Sequence, residues 1–239
     1  MLNKRFKTLA GLLCVILGAA ILAVPVLSRG RYESAPVFSA MGHDDPVIID
    51  PGHGGEDGGA VSPDGVYESD INLDVSLKLE QLMAFTGVRP VMTRSSRDID
   101  YPDDADTIRK KKVYDQKTRV ELINSLPGGV LISVHQNKYT DSGPSGAQVL
   151  FAATEGSGRL ASVMESALAE TIGTENVRSA KQISPDIFLM KNVSCPAVLI
   201  ECGFLSNPGD RAMLVTDGYQ LKLACGIVCG YLRFIAEGT

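Results

Sequence analysis

Four residues scattered along the chain are of types that, brought together, hydrolyse an amide bond with the help of a metal ion. His53 stands in Asp50-Pro51-Gly52-His53-Gly54-Gly55 and Glu68 directly before Ser69. His135 stands in Ser133-Val134-His135-Gln136-Asn137 and Glu201 in Ile200-Glu201-Cys202-Gly203-Phe204. Two imidazoles and one carboxylate are a recognised ligand set for catalytic zinc, which keeps its remaining position for water. Zinc brings the pKa of that water toward neutrality and polarises a carbonyl. A further carboxylate must then take the proton and pass it to the leaving nitrogen. The chain has 3 histidines in all, and two of them belong to this set; the other, His43, receives no role. Glycines around His53 let backbone and substrate approach closely.

Each residue also has an ordinary use. A lone histidine after a strand is usually a hydrogen-bonded surface group, Glu68 is a charge near a helix start, and Glu201 is a strand-end partner for Arg94. Short motifs arise by chance, so on these residues alone both readings stand.

The elements that must position the set follow from the apolar pattern. Val47-Ile48-Ile49, ended by Pro51-Gly52, predicts a buried strand and turn, and Gly54–Gly65 a loop. Ser69 is placed to cap a helix running to about Phe85, with Ile71, Val75, Leu79 and Leu82 at helical spacing. Further strands are predicted over Val88–Thr93, Val130–Val134, Ala147–Ala152, Ile187–Met190 and Ala197–Ile200, and helices over Thr107–Ser125 and Ser157–Ile172. Asn207, Pro208 and Asp210 suit a helix start. A last helix over Tyr219–Ile235 carries Leu221, Cys225, Val228, Leu232 and Ile235 on its apolar side. Short apolar strands alternating with helices give an α/β fold: a single three-layer domain with a mostly parallel sheet covered on both faces. His53, His135 and Glu201 fall at strand carboxyl ends, which in such a sheet line one crevice.

Lys4, Arg5 and Lys7 precede an apolar run from Leu9 to Leu27, so residues 1–29 are expected to be a signal peptide or membrane anchor, with the rest translocated. Residues 30–45 read as a linker and 46–239 as the catalytic domain. The hydrophobic content of 44% and charged content of 21% are those of a globular chain. The net charge of −5 and the lack of a basic face disfavour nucleic acid. Of 5 cysteines, none is at zinc-ribbon spacing; Cys225 and Cys229 read as small buried hydrophobes on the last helix.

The strings Ile48–Gly55, Ser133–Asn137 and Ile200-Glu201-Cys202-Gly203-Phe204-Leu205-Ser206-Asn207 resemble, in order, the three signature blocks of the N-acetylmuramoyl-L-alanine amidase 3 family, and the likeness spans about Val47 to Ile235. The stretch Asp106–Asn124 and the N-terminal segment resemble more specifically the sporulation amidases of the CwlD type. The resemblance implies a central six-stranded sheet, Zn2+ held by His53, Glu68 and His135, and Glu201 as the catalytic carboxylate. It implies peptidoglycan glycan strands and stem peptides as substrate, cut between N-acetylmuramic acid and L-alanine outside the cytoplasmic or forespore membrane, and a role in cortex maturation through muramic-δ-lactam. Lys138 stands where the family often has a small residue, placing a positive charge near the cleft. Asp50 is a candidate to orient a ligating histidine or to shape the strand-end turn, and Asn137 to fix the loop bearing His135. Arg94 and Arg119 are candidates for substrate carboxylates or structural ion pairs.

Two rivals remain. Cys202 with His135 as base would need no metal, although period-two alternation in a continued strand turns Cys202 away from Glu201. Alternatively, the domain is a non-catalytic wall-binding module. The bare domain has no wall-binding repeats, which leaves open an extracytoplasmic activator protein.

Overall fold

The apolar runs of the sequence become the middle strands of one sheet. In the computed structural model, which describes residues 46–238, β1 (Val47–Pro51), β3 (Val130–Asn137) and β6 (Ala197–Phe204) are buried along nearly their whole length, as strands covered on both faces must be. With β2 (Val91–Met92), β4 (Ala147–Phe151) and β5 (Val177–Gln182) they form a six-stranded sheet of order β2-β1-β3-β6-β4-β5. The pairings are parallel except that of β4 with β6. The expected membrane segment (1–29) and linker (30–45) lie outside the described residues, among which no helix is long and apolar enough to cross a membrane.

Alternation along the strands divides the core in two. Ile49, Val134 and Ile200 face a larger cluster with α1 (Glu68–Phe85), α3 (Ser157–Ile172) and α6 (Asp217–Ala236). Ile48, Leu131 and Leu199 face a smaller one with Ile123 of α2 (Ile108–Asn124) and Leu189 and Met190 of α4 (Phe188–Asn192). The result is the expected three-layer α/β architecture. Asn207 caps α5 (Pro208–Leu214), accepting from the Gly209 and Asp210 amides at 2.9 and 3.1 Å. In α6, Gly226 and Gly230 allow close approach to α3: a Cβ on Gly230 would lie 3.0 Å from Met164 Cα.

Several local expectations are corrected. The strand expected over Ile187–Met190 is the short helix α4, where Leu189 and Met190 turn into the smaller core; a brief apolar run does not distinguish the two states. The sixth strand is instead β5, whose Val-Arg-Ser-Ala-Lys-Gln sequence is polar because it lies at the sheet edge. The second strand is only Val91–Met92. Ser69 does not cap α1; Tyr67 holds that position without a side-chain bond, since the Glu68 and Ser69 amides donate to Ala60 O (2.8 Å) and Gly58 O (3.1 Å) of the glycine loop. The buried stripe of α6 is Leu223, Ala224, Ile227, Val228, Tyr231, Phe234 and Ile235, leaving Leu221 and Cys229 exposed and Cys225 half-buried.

Candidate active site

Strand geometry brings the two late members of the set together. β3 does not stop at Val134 but continues to Asn137, so His135 lies within it. β6 likewise runs through Glu201 to Phe204. The parallel register sets His135 opposite Glu201, and directly opposed side chains share a face. That face is the one carrying Leu131 and Leu199, toward α2 and α4. Cys202 points the other way, fully buried in the larger core, and burial pushes its thiol up to about 12. It is unsuited to be a nucleophile.

The two early members arrive from one loop. His53 follows β1, and Glu68 is the first residue of α1, where the helix dipole favours a carboxylate. His135 Nδ1 lies 2.9 Å and His53 Nε2 3.4 Å from Glu68 Oε1. One ligand atom from each of His53, Glu68 and His135 lies within 4.8 Å of the others. Glycines make room: a Cβ on Gly52 would fall 2.2 Å from His135 Nε2, and one on Gly59 2.6 Å from Glu68 Oε2. His53 has φ 58°, the only non-glycine residue with positive φ among those described. Strained residues of this kind gather at functional sites.

Surrounding groups orient the donors. Asp57 Oδ2 lies 2.9 Å from His53 Nδ1, which leaves Nε2 free to face Glu68. Glu68 Oε1 accepts from the Gln136 amide at 3.1 Å and Asn72 Nδ2 at 3.4 Å, and Oε2 from the Ala60 amide at 2.8 Å. Burial pulls the His53 imidazole down, but Asp57 and Glu68 outweigh it and hold the pKa at about 9. Burial pushes Glu68 up, yet the two imidazoles keep it well below the usual carboxylate range. The pocket thus favours positive charge, and its two imidazoles and carboxylate could hold a metal ion. Glu201 differs: burial raises its carboxyl to about 7, and its buried Oε2 has no hydrogen-bond partner. All four residues line one cavity of about 310 Å³, with Lys112, Ile187 and Leu189 on its walls. A larger cavity, about 580 Å³, lies beyond α4 against Met190 and Lys191 and contains none of the four.

The supporting cast differs from expectation. Asp50 touches neither histidine; its carboxylate accepts from Arg119 (2.7 Å), Thr93 (2.7 Å) and Ser133 (2.6 Å). Burial pushes it up, and these donors, Arg119 first, bring it to about 2. The orienting carboxylate is Asp57, in a loop without periodicity to betray it. Asn72 was also missed, although it lies four residues after Glu68 on the buried face of α1. Arg94 and Arg119 are buried and bond main-chain carbonyls beneath the site, and Arg119 also lines the cavity. Arg94 does not pair with Glu201. Asn137 O accepts from Leu205 N at 2.8 Å and ties the end of β3 to β6. Lys138 turns to Val61 O at 2.8 Å and does not line the cavity.

A family model described as N-acetylmuramoyl-L-alanine amidase matches residues 47–232. The chain is 35% identical over 192 residues to the germination-specific N-acetylmuramoyl-L-alanine amidase of Bacillus subtilis (strain 168), covering 80% of each chain. It is 29% identical over 191 residues to the amidase LytC of the same organism, covering 79% of this chain and 35% of that one. The solved CwlD amidase from Clostridioides difficile, in complex with the GerS lipoprotein, matches with TM-score 0.77 and 33% identity over 81% of this chain and 100% of that chain. By sequence and by structure, the chain belongs to the N-acetylmuramoyl-L-alanine amidase family.

Proposed function

We propose that the protein is a zinc-dependent hydrolase of the amide between N-acetylmuramic acid and L-alanine in peptidoglycan, with His53, Glu68 and His135 as metal ligands and Glu201 as general base. The observation that carries this is the Glu201 carboxyl, one oxygen of which is buried with no hydrogen-bond partner, on a residue that lines the same cavity as three convergent ligand atoms. Zinc bound there supplies Lewis acidity, activating water near neutral pH and polarising the scissile carbonyl. The Glu201 carboxylate takes the proton of the attacking water and returns it to the alanine nitrogen as that bond breaks. Burial raises this carboxyl above the usual carboxylate range in the metal-free site, and a bound cation would draw it back toward the ionised form a base needs. Asp57 keeps the His53 ring oriented, and Ile187 and Leu189 make one wall of the cavity apolar.

The substrate is proposed to be spore-cortex peptidoglycan, where removal of stem peptide leaves muramic acid free to close to its δ-lactam. Support comes from the 35% identity to a germination-specific amidase. Reaction outside the membrane agrees with the basic start and apolar run of residues 1–29. A lipoprotein partner is proposed from the CwlD amidase, whose structure includes one.

Glu201→Gln tests the assignment. The variant should retain bound zinc while mass spectrometry of digested peptidoglycan shows no stem-peptide release. Normal turnover would remove Glu201 from the mechanism. Loss of zinc together with activity would instead make it a ligand.

A further inference from the structure

Three consecutive carbonyls lead into the site, those of Pro51, Gly52 and His53, and all accept from buried guanidinium groups. Arg119 of α2 donates from Nη1 to Pro51 O at 2.8 Å and from Nη2 to His53 O at 2.7 Å. Arg94, just after β2, donates from Nε to Pro51 O at 2.9 Å and from Nη2 to Gly52 O at 3.0 Å. The same Nη2 reaches Ser69 O at 2.9 Å, joining the turn to the first turn of α1, which carries Glu68. Arg94 is 8% and Arg119 5% exposed. Asp50 and Asp115 compensate the Arg119 charge at 2.7 and 2.9 Å. Burying two guanidiniums is costly unless their donors are satisfied, and here they converge on one turn.

That turn contains the left-handed His53. A non-glycine residue keeps such a backbone only where its surroundings impose it. Relaxed to negative φ, His53 would swing its imidazole away from Glu68 Oε1. The clamp needs a planar fork, because the Arg119 bonds go to carbonyls two residues apart. A lysine carries one point charge and cannot hold both in that geometry.

We propose that Arg119 and Arg94 are positioning residues that hold His53 in its left-handed conformation and thereby set the affinity of the site for its metal. The inference rests on the metal-site reading above and deepens it. Arg119 also lines the cavity, but its fork is spent on the Pro51 and His53 carbonyls, and each arginine acts through the backbone of a ligand, as outer groups of metal sites do through side chains.

The test reads metal binding apart from turnover. Zinc affinity is measured by competition with a chromophoric chelator, and ligand geometry by the visible spectrum of the cobalt(II)-loaded protein. Arg119→Lys should weaken zinc by roughly 10–100-fold and alter the cobalt bands. Leu79→Ala, in the larger core, serves as a variant destabilised elsewhere; it should lower Tm and leave affinity and spectrum as in wild type. A folded Arg119→Lys with wild-type affinity and bands overturns the proposal, as does an equal loss in Leu79→Ala. If Arg119→Lys does not fold, Arg94→Lys is read in the same way and decides. Failure of the unmutated protein to bind zinc would count against the metal-site reading instead, so the two failures are distinguishable.

Discussion

Gly52→Ala tests the site without removing any polar group. The backbone at Gly52 lies outside the left-handed region, so alanine fits the main chain and the cost falls on its neighbour. The added Cβ would lie 2.2 Å from His135 Nε2 and 2.3 Å from Cε1, whereas non-bonded atoms settle at roughly 3.5 Å. Something must move by about 1.3 Å. The backbones cannot separate easily, because β1 and β3 pair in register as far as Pro51 and Val134, and Gly52 N donates to Val134 O at 3.0 Å. The His135 ring therefore retreats and draws Nδ1 away from Glu68 Oε1. A misplacement of ~1 Å in a catalytic group costs on the order of 100-fold in rate, about 2.7 kcal/mol of transition-state stabilisation. The assay is kcat/KM on a defined muropeptide, with zinc content measured on the same sample. Gly218→Ala is the control, since a Cβ there meets nothing within 4 Å. Wild-type kcat/KM and zinc content in Gly52→Ala would refute the placement of His135 at the reacting centre.

Asp57→Asn leaves the ligands in place but weakens the orientation of His53; zinc affinity should fall by about 10–100-fold, and chelator competition showing no change would remove Asp57 from that role. In metal-free protein, ¹³C NMR should find a buried glutamate, Glu201, titrating near 7. Added zinc should lower that value, because a nearby cation favours the ionised carboxylate; a titration near the ordinary glutamate value without metal would contradict the burial argument. Gly230→Ala gains helix propensity of roughly 1 kcal/mol but drives a methyl toward Met164 of α3, where overpacking costs about 1–3 kcal/mol. Denaturant unfolding should show lower stability, and a rise would mean that α3 and α6 are not held at that distance.

Most of the frame was legible because local pattern and global burial agree. Val47–Ile49, Val130–Val134 and Ala197–Ile200 are branched and apolar, and in the structure they are central strands with two covered faces. Where exposure rather than pattern decides the state, reading failed. Val177–Gln182 is a strand because β4 offers it an edge, not because its own residues demand one. Phe188–Asn192 is helical because only that state sends the neighbours Leu189 and Met190 together into the smaller core. The stripe of α6 was misphased because Cys225 and Leu221 are apolar in type but turned partly or largely to solvent by the packing of α6 on α3.

By itself, the sequence determined which residues have the chemistry of a metal hydrolase and that strand ends would carry most of them. Only the tertiary structure decided that they meet. The His135–Glu201 register, the left-handed turn at His53 and the Asp57 bond to its ring depend on contacts between segments far apart, or on loop geometry without periodicity. Composition and spacing encode what a side chain can do and which face of an element it occupies. Distance between elements is set by how whole faces pack, and no local pattern carries that information.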